Sequence, residues 1–146
     1  ECHELVDTLG VRDLIFTGRV NVVEYMEKLD FTILTSISEG QPLSVLESLA
    51  ARRPCVTTEV GCCRELLEGA PGDDFGVAGF VSPPMYRKGL ADAMERMCAS
   101  RTRRIEMGER GQRRVATYFL HEQMLANYRA LYDETARAFE LPREGE

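Results

Sequence analysis

Short runs of apolar and β-branched residues alternate with longer amphipathic segments along most of the chain. Such runs, without polar alternation, are typical of parallel strands that helices cover on both faces. Strands are predicted at residues 14–17, 32–35, 55–58 and 79–82. Strands that alternate with helical segments predict an α/β fold with a Rossmann-like, doubly wound parallel sheet.

The segments between these strands carry apolar residues at the three- and four-residue spacing of helices. Helices are predicted at residues 2–9, 22–28, 42–52 and 63–67, and the segment 69–79, rich in glycine, is predicted to be a surface loop. After Pro83 and Pro84 the pattern changes to helices alone. These are a helix with a stripe formed by Leu90, Met94, Met97 and Cys98, and two helices over residues 101–118 and 121–139.

The methionine and tyrosine stripes of these last helices are expected to pack into the core. In the final helix this stripe includes Tyr128, Leu131 and Tyr132. The end of the chain, residues 142–146, is expected to fray.

The composition is typical of one globular domain: 146 residues, 44% hydrophobic and 29% charged. No segment has the roughly 18 to 20 uncharged apolar residues of a membrane span, and the start does not resemble a signal peptide. A cytoplasmic protein is therefore expected. The chain begins Glu1-Cys2-His3 within a predicted helix, and four strands are few for a doubly wound sheet. We therefore interpret residues 1–146 as a fragment of a longer protein whose first strands lie upstream.

The net charge of −6 argues against a nucleic-acid surface. The densest arginine run, residues 101–114, alternates with Glu106 and Glu109 at helical spacing. This spacing favours a solvated, ion-paired face over a site for an anion or RNA.

Five cysteines without a CxxC spacing, and only two histidines, favour reduced thiols and predict no metal site. Cys63 begins a predicted helix, a position that can lower the pKa of a thiol. A role as a small residue at the start of that helix is nevertheless favoured.

The loop after the second predicted strand carries the chemistry that points to function. Its residues run Ser36-Ile37-Ser38-Glu39-Gly40-Gln41, and Pro42 follows as the first predicted helical residue. A helix that begins at the carboxyl end of a parallel strand directs its free N–H groups toward the ligand crevice of such sheets. The N–H groups of Leu43 and Ser44 are therefore predicted to bind a diphosphate, aided by Gly40 and by the hydroxyls of Ser36, Ser38 and Ser44.

Two carboxylates flank this helix start. Glu39 lies in the loop, and Glu47 lies about 7 to 8 Å along the helix from Pro42. A phosphate would repel both groups, so their expected targets are neutral hydroxyls: a ribose for one and a sugar ring for the other. Each glutamate alone is ordinary, but their combination with the strand, turn and helix favours a nucleotide-sugar site.

The segment from Ser36 to Glu47 resembles the Glu, seven residues, Glu motif of retaining glycosyltransferases of family four, which have the two-Rossmann-domain GT-B architecture. The resemblance continues through residues 48–61 and covers almost the whole chain. Residues 36–43 and 60–66 look most like the PelF branch, which uses UDP-glucose to make exopolysaccharide.

By position, the resemblance implies that Glu39 is the catalytic residue at the donor hexose and that Glu47 binds the ribose. The remaining donor-binding residues that it implies are Gly40, Gln41, Pro42, Leu43 and Ser44. It also implies a metal-independent reaction without a cofactor, in which a UDP-hexose is the substrate. An N-terminal acceptor domain of the same protein, upstream Arg and Lys residues at the diphosphate, and a membrane-associated synthesis complex are the further implied partners.

Two positions depart from the family pattern: many relatives have Gly where Arg53 stands and Asp where Glu59 stands. Three functions are considered. The first is the donor-binding half of a hexosyltransferase, inactive as an isolated chain. The second is a catalytically silent nucleotide-sugar-binding or scaffold module that docks to partner subunits through its last helices. The third is a sugar-nucleotide epimerase of the same architecture, whose motifs match less well.

Overall fold

The structure is a computed structural model that describes residues 2–139. Three parallel strands form one sheet in the order β1 (Thr32–Leu34), β2 (Cys55–Thr58) and β3 (Gly79–Ser82). The helices are α1 (Cys2–Leu9), α2 (Val22–Met26), α3 (Leu43–Ala50), α4 (Cys63–Glu68), α5 (Arg87–Cys98), α6 (Arg101–Tyr118) and α7 (His121–Ala138). The predicted α/β fold with a parallel sheet is confirmed. None of the helices within residues 2–139 is both long and apolar enough to cross a membrane.

The central strand β2 is buried on both faces of the sheet. Cys55 packs in an apolar cluster with Leu49 of α3 and Leu66 of α4. Val56, whose side chain points to the opposite face, packs with Met97 of α5. This double coverage explains why the strand sequence lacks polar alternation.

Residues 14–17 do not form the predicted strand. They are irregular and exposed, and Ile15 is 85% accessible to solvent. A strand needs a neighbour that completes its hydrogen bonds, and within the described residues β1 pairs with β2 alone. Residues 14–17 have the apolar composition of a strand, but local composition does not show whether a neighbouring strand is present to pair with them.

The apolar stripe of α7 does not pack into the core of this chain. No residue of α7 is buried, and Tyr128, Leu131 and Tyr132 are 53%, 55% and 68% exposed. The expectation is therefore wrong for α7. In α5 it holds for Met97, which is buried, and for Leu90 and Met94, which pack against the same cluster, but not for Cys98, which is exposed. Helical spacing defines an apolar face but does not specify which surface covers it. The predicted fraying of residues 142–146 lies outside the described residues.

The buried guanidinium of Arg114 connects α6 to the end of α4 through hydrogen bonds. Arg114 is only 1% exposed and donates to both carboxylate oxygens of Asp73. It also donates to the carbonyl oxygens of Leu66, Leu67 and Gly76 at 2.7 to 3.2 Å. The sequence placed Arg114 on a solvated face, and this is wrong because the loop containing Asp73 folds over it.

The ion pair makes a testable contribution to stability. Replacement Asp73→Asn leaves a buried charge without its partner, so the free energy of unfolding should fall by about 3 to 5 kcal/mol in urea denaturation. Asp92→Asn, which removes the partner of exposed Lys88, is the control and should leave the urea midpoint unchanged. An equal effect of both variants would contradict the structural role of Asp73.

The same pair predicts a pH dependence. Hydrogen bonds from Arg114 hold the pKa of Asp73 below its ordinary value of 3.8. A lowered pKa stabilises the folded state above that ordinary value, and the contribution is lost as the pH falls through the folded-state pKa. The stability difference between wild type and Asp73→Asn should therefore be constant above about pH 5 and shrink below about pH 4.

Candidate functional site

The carboxyl ends of the three strands lie along one edge of the sheet because the strands are parallel. The loop after β1 and the loop after β2 are joined there by two hydrogen bonds. The Thr58 hydroxyl donates to the carbonyl of Ser36 at 2.6 Å, and the backbone N–H of Cys62 donates to the carbonyl of Gly40 at 3.0 Å. The loop that precedes α3 is therefore held in place by its neighbour.

Gly61 makes this close approach of the two loops possible. It has a left-handed φ of +51°, and a Cβ on it would overlap the carbonyl oxygens of Glu39 and Gly40. No role for Gly61 follows from the local sequence pattern alone. The available signal was a glycine placed three residues after the end of a buried strand.

Glu39 is half-buried, and its carboxylate accepts a hydrogen bond from the Ser36 hydroxyl at 2.6 Å. A short bond to a charged acceptor restricts the orientation of the carboxylate. The Ser36 hydroxyl is thus engaged within the loop and does not serve as the free ligand donor that the sequence predicted.

Helix α3 begins at Leu43, one residue later than predicted, and Pro42 is its N-cap with a ψ of 112°. The Pro42 carbonyl accepts hydrogen bonds from Val45 and Leu46 at 3.2 and 3.4 Å. The N–H groups of Leu43 and Ser44 have no acceptor among residues 2–139. Both residues are exposed, so these two N–H groups are free for a ligand.

Glu47 lies one turn beyond Leu43 on the exposed face of α3. It borders a cavity of about 530 Å³ that Gln41, Leu43 and Ala50 also line. It also borders a second cavity, of about 420 Å³, between α2 and α3. The structure therefore places Glu47 on the same helix as the free N–H groups but leaves its carboxylate in solvent.

The other predicted donor-binding residues complete this loop and turn. Pro42 is buried, whereas Gly40 and Gln41 are exposed. Glu39 and the residues Gly40 to Ser44 are thus brought together in one continuous segment at the sheet edge.

The neighbouring thiols are not activated. Burial raises the pKa of Cys62 and Cys63, so the helix start does not produce a reactive thiolate. Cys63 is fully buried and fills the role of a small residue at the start of α4. Within residues 2–139 there is no group of three or more His, Cys, Asp or Glu side chains that could hold a metal ion.

The chain is similar in sequence to two curated enzymes, a synthase and a mannosyltransferase. It is 28% identical over 92% of its length to the N-acetyl-alpha-D-glucosaminyl L-malate synthase of Bacillus anthracis. It is 27% identical over 94% of its length to the lipopolysaccharide core biosynthesis mannosyltransferase LpsB of Rhizobium meliloti. These matches cover 34% and 38% of the two relatives, so the chain spans about a third of the length of the curated relatives it matches.

Solved structures share the fold. Sucrose-phosphate synthase from Thermosynechococcus elongatus superposes with a TM-score of 0.81 at 23% identity, over 94% of this chain and 34% of that one. The C-terminal domain of a glycosyl transferase group 1 family protein, LpcC, from Francisella tularensis gives a TM-score of 0.64 at 18% identity. That second match covers 82% of this chain and 60% of the other. Both likenesses concern the fold.

The family itself is shown by a direct match. The model of the family described as "Glycosyl transferases group 1" matches residues 1–100, which is more than half of the chain. The matched range contains β1, the loop with Glu39, α3 and the loop with Gly61. The chain therefore belongs to the glycosyl transferases group 1 family, and its parallel sheet is that of a GT-B Rossmann-like domain.

Proposed function

We propose that this chain is the donor-binding, C-terminal domain of a retaining hexosyltransferase that uses a UDP-hexose, first of all UDP-glucose. The observation that carries the proposal is the segment at the carboxyl edge of the sheet. There a carboxylate with a fixed orientation, Glu39, directly precedes a helix whose first N–H groups are free.

The start of α3 suits the donor diphosphate. The N–H groups of Leu43 and Ser44 are unpaired within the described residues, and the positive end of the helix dipole adds to them. These fixed donors stabilise the negative charge that develops on the departing UDP. Because such charge is stabilised by the protein, the transfer is proposed to need neither a metal ion nor a cofactor.

Glu39 suits the hexose rather than the phosphates. Its negative charge would be repelled by a diphosphate, whereas sugar hydroxyls donate hydrogen bonds to it. The bond from Ser36 holds the carboxylate in one orientation toward the ring. We assign Glu39 to the reaction centre on this basis.

Glu47 is proposed to accept hydrogen bonds from the ribose hydroxyls. It lies one turn beyond Leu43, on the face of α3 that lines two cavities. A ribose joined to a diphosphate at the helix start lies within reach of that face. The two glutamates therefore contact different parts of one ligand.

The rest of the protein is proposed from the resemblance to the PelF branch and from the relatives' greater length. An N-terminal domain binds a growing polysaccharide or glycan, and upstream Arg and Lys residues complete the diphosphate site. The proposed setting is exopolysaccharide synthesis in the cytoplasm, with a membrane-associated complex as a further partner.

One observation favours a second function, a silent nucleotide-sugar-binding or scaffold module. The apolar stripe of α7, with Leu131 and Tyr132, is exposed and offers a surface for a partner subunit. A transfer assay with the full-length protein distinguishes the two functions. A hexosyltransferase transfers sugar, whereas a silent module only binds the nucleotide sugar.

Variants of the two glutamates separate their roles in the full-length protein. Glu47→Gln should weaken UDP binding by roughly 10- to 150-fold, because it removes a charged acceptor that contributes about 1.5 to 3 kcal/mol. Glu39→Gln should change UDP affinity by only a few-fold, because UDP has no hexose, and should lower the rate of transfer. UDP affinity by calorimetry and turnover with UDP-glucose are the measurements.

The exposed residue Glu95 of α5 provides the control, and Glu95→Gln should change neither quantity. If both site variants behave like this control, the assignment of Glu39 and Glu47 is wrong.

The contact at Gly61 is tested by Gly61→Ala. The added Cβ must displace the carbonyls of Glu39 and Gly40 and must adopt a left-handed φ, so the free energy of unfolding should fall by about 2 to 4 kcal/mol. Gly18→Ala is the control, since Gly18 has a left-handed φ of +63°, close to that of Gly61, but open space around it. Its cost should be about 1 to 2 kcal/mol. Urea denaturation measures both, and equal losses would mean that the contact between the loops contributes nothing.

The isolated chain of 146 residues is expected to bind UDP weakly and to show no transfer of sugar. The reason is that acceptor binding and part of the diphosphate binding are proposed to come from elsewhere in the protein. Turnover of the purified chain with UDP-glucose, measured as UDP release, tests this. Robust transfer to an added glycan would contradict the division into two halves.

A further inference from the structure

Four arginines meet at the edge of the sheet opposite Glu39. A cavity of about 60 Å³ is lined by Arg52, Arg53, Arg101, Arg104, Asp30 and Ile105. Four arginines and one aspartate line this cavity, although the whole chain has a net charge of −6. We call the four arginines the arginine cluster.

The fold brings the cluster together from three segments. Arg52 and Arg53 connect α3 to the start of β2, Arg101 and Arg104 lie in the first turn of α6, and Asp30 precedes β1. The amino ends of the strands therefore carry the cluster, and their carboxyl ends carry Glu39. A four-residue strand spans about 13 Å, so the two sites are separate.

Arg53 and Arg104 are held by hydrogen bonds that use only some of their N–H donors. Arg53 donates from Nε to the carbonyl of Met26 at 2.9 Å and from Nη2 to the carbonyl of Glu27 at 3.1 Å. Arg104 donates to two carbonyls at the end of α5, each at 3.0 Å, and to Asp30 at 3.3 Å. Its Nε is buried without an acceptor among the described residues. Carbonyl oxygens fix the Arg53 guanidinium without cancelling its charge, whereas Arg104 is also paired with the carboxylate of Asp30.

The other two arginines are exposed, with no acidic partner among the described residues. Arg52 has a left-handed φ of +59° and follows the C-cap of α3, a position that glycine normally occupies. The N–H groups of Arg52 and Arg53 close the helix end on the carbonyls of Leu49 and Ser48, at 2.9 and 2.8 Å. By the resemblance, the position at which many family members have glycine is that of Arg53. The structure shows that the glycine-like conformation belongs to Arg52.

We propose that the arginine cluster binds a phosphate group. Guanidinium groups present paired donors that match phosphate oxygens, and a fixed guanidinium loses little freedom when it binds. The cavity, at about 60 Å³, is far smaller than the cavities of about 420 and 530 Å³ beside Glu47, so it suits a single tetrahedral oxyanion and not a whole nucleotide. The exposed, unpaired charges of Arg52 and Arg101 gain a counter-charge. The group is a free phosphate or the phosphate of an anionic lipid headgroup.

The proposal is tested in the full-length protein with the double variant Arg52→Gly and Arg101→Gln. Glycine suits the backbone at position 52, so this variant is expected to fold, and thermal unfolding without ligand checks that it does. Arg129→Ala removes an exposed arginine of α7 and is the control matched for residue type. Inorganic phosphate is titrated by calorimetry at constant ionic strength, with chloride as the reference salt.

The wild type and Arg129→Ala should bind phosphate in preference to chloride, and the double variant should bind it at least tenfold more weakly. Vesicles identify the source of the group: phosphatidic acid in phosphatidylcholine is compared with phosphatidylcholine alone. If the wild type sediments with vesicles that contain phosphatidic acid and the double variant does not, the group is a lipid headgroup. If the wild type binds phosphate but does not sediment with these vesicles, the group is free phosphate.

Two results would overturn the proposal. One is that the double variant binds phosphate and vesicles as the wild type does. The other is that the wild type binds neither phosphate above chloride nor vesicles with phosphatidic acid. None of these readouts uses UDP or sugar transfer, so they are independent of the proposed function.

Discussion

The burial of β2 on both faces is the constraint on which the rest of this domain depends. Its side chains alternate between two apolar clusters, with Cys55 in one and Val56 in the other. Helices α3 and α4 cover the first face, and α5 covers the second. Because the strand is central and covered on both faces, the polar groups that a ligand could reach lie beyond its two ends. The chemistry of the domain is accordingly found there.

The two ends of β2 present opposite electrostatic characters. At the carboxyl end, Thr58 and Gly61 hold the loop that carries Glu39, and the start of α3 offers free N–H groups. At the amino end, Arg52 and Arg53 meet the first turn of α6. Helix α3 spans both regions, since it begins at the first and ends at the second. A change in the packing of this helix therefore affects both ends of the sheet.

Three of the four strands that local patterns in the sequence predict are present, and so is the turn that leads into α3, because apolar runs and turn residues act over short distances. The roles of Glu39 and of the residues Gly40 to Ser44 stay predictions. The predictions that are wrong concern residues whose structure depends on partners far away in the sequence. Residues 14–17 needed a neighbouring strand, and Arg114 needed the loop that contains Asp73 to fold over it. The contact of Gly61 with the loop before α3, and the convergence of Arg52 with Arg101, join positions far apart in the chain. Periodicity within one element carries no information about them.

The central claim is that the start of α3 holds the diphosphate of a nucleotide sugar. Hydrogen exchange of the full-length protein, measured with and without saturating UDP, tests it directly. The claim predicts slower exchange in peptides covering residues 36–47, including the free N–H groups of Leu43 and Ser44, and no change in residues 96–105 at the opposite edge. Unchanged exchange over residues 36–47 while UDP is bound would contradict it.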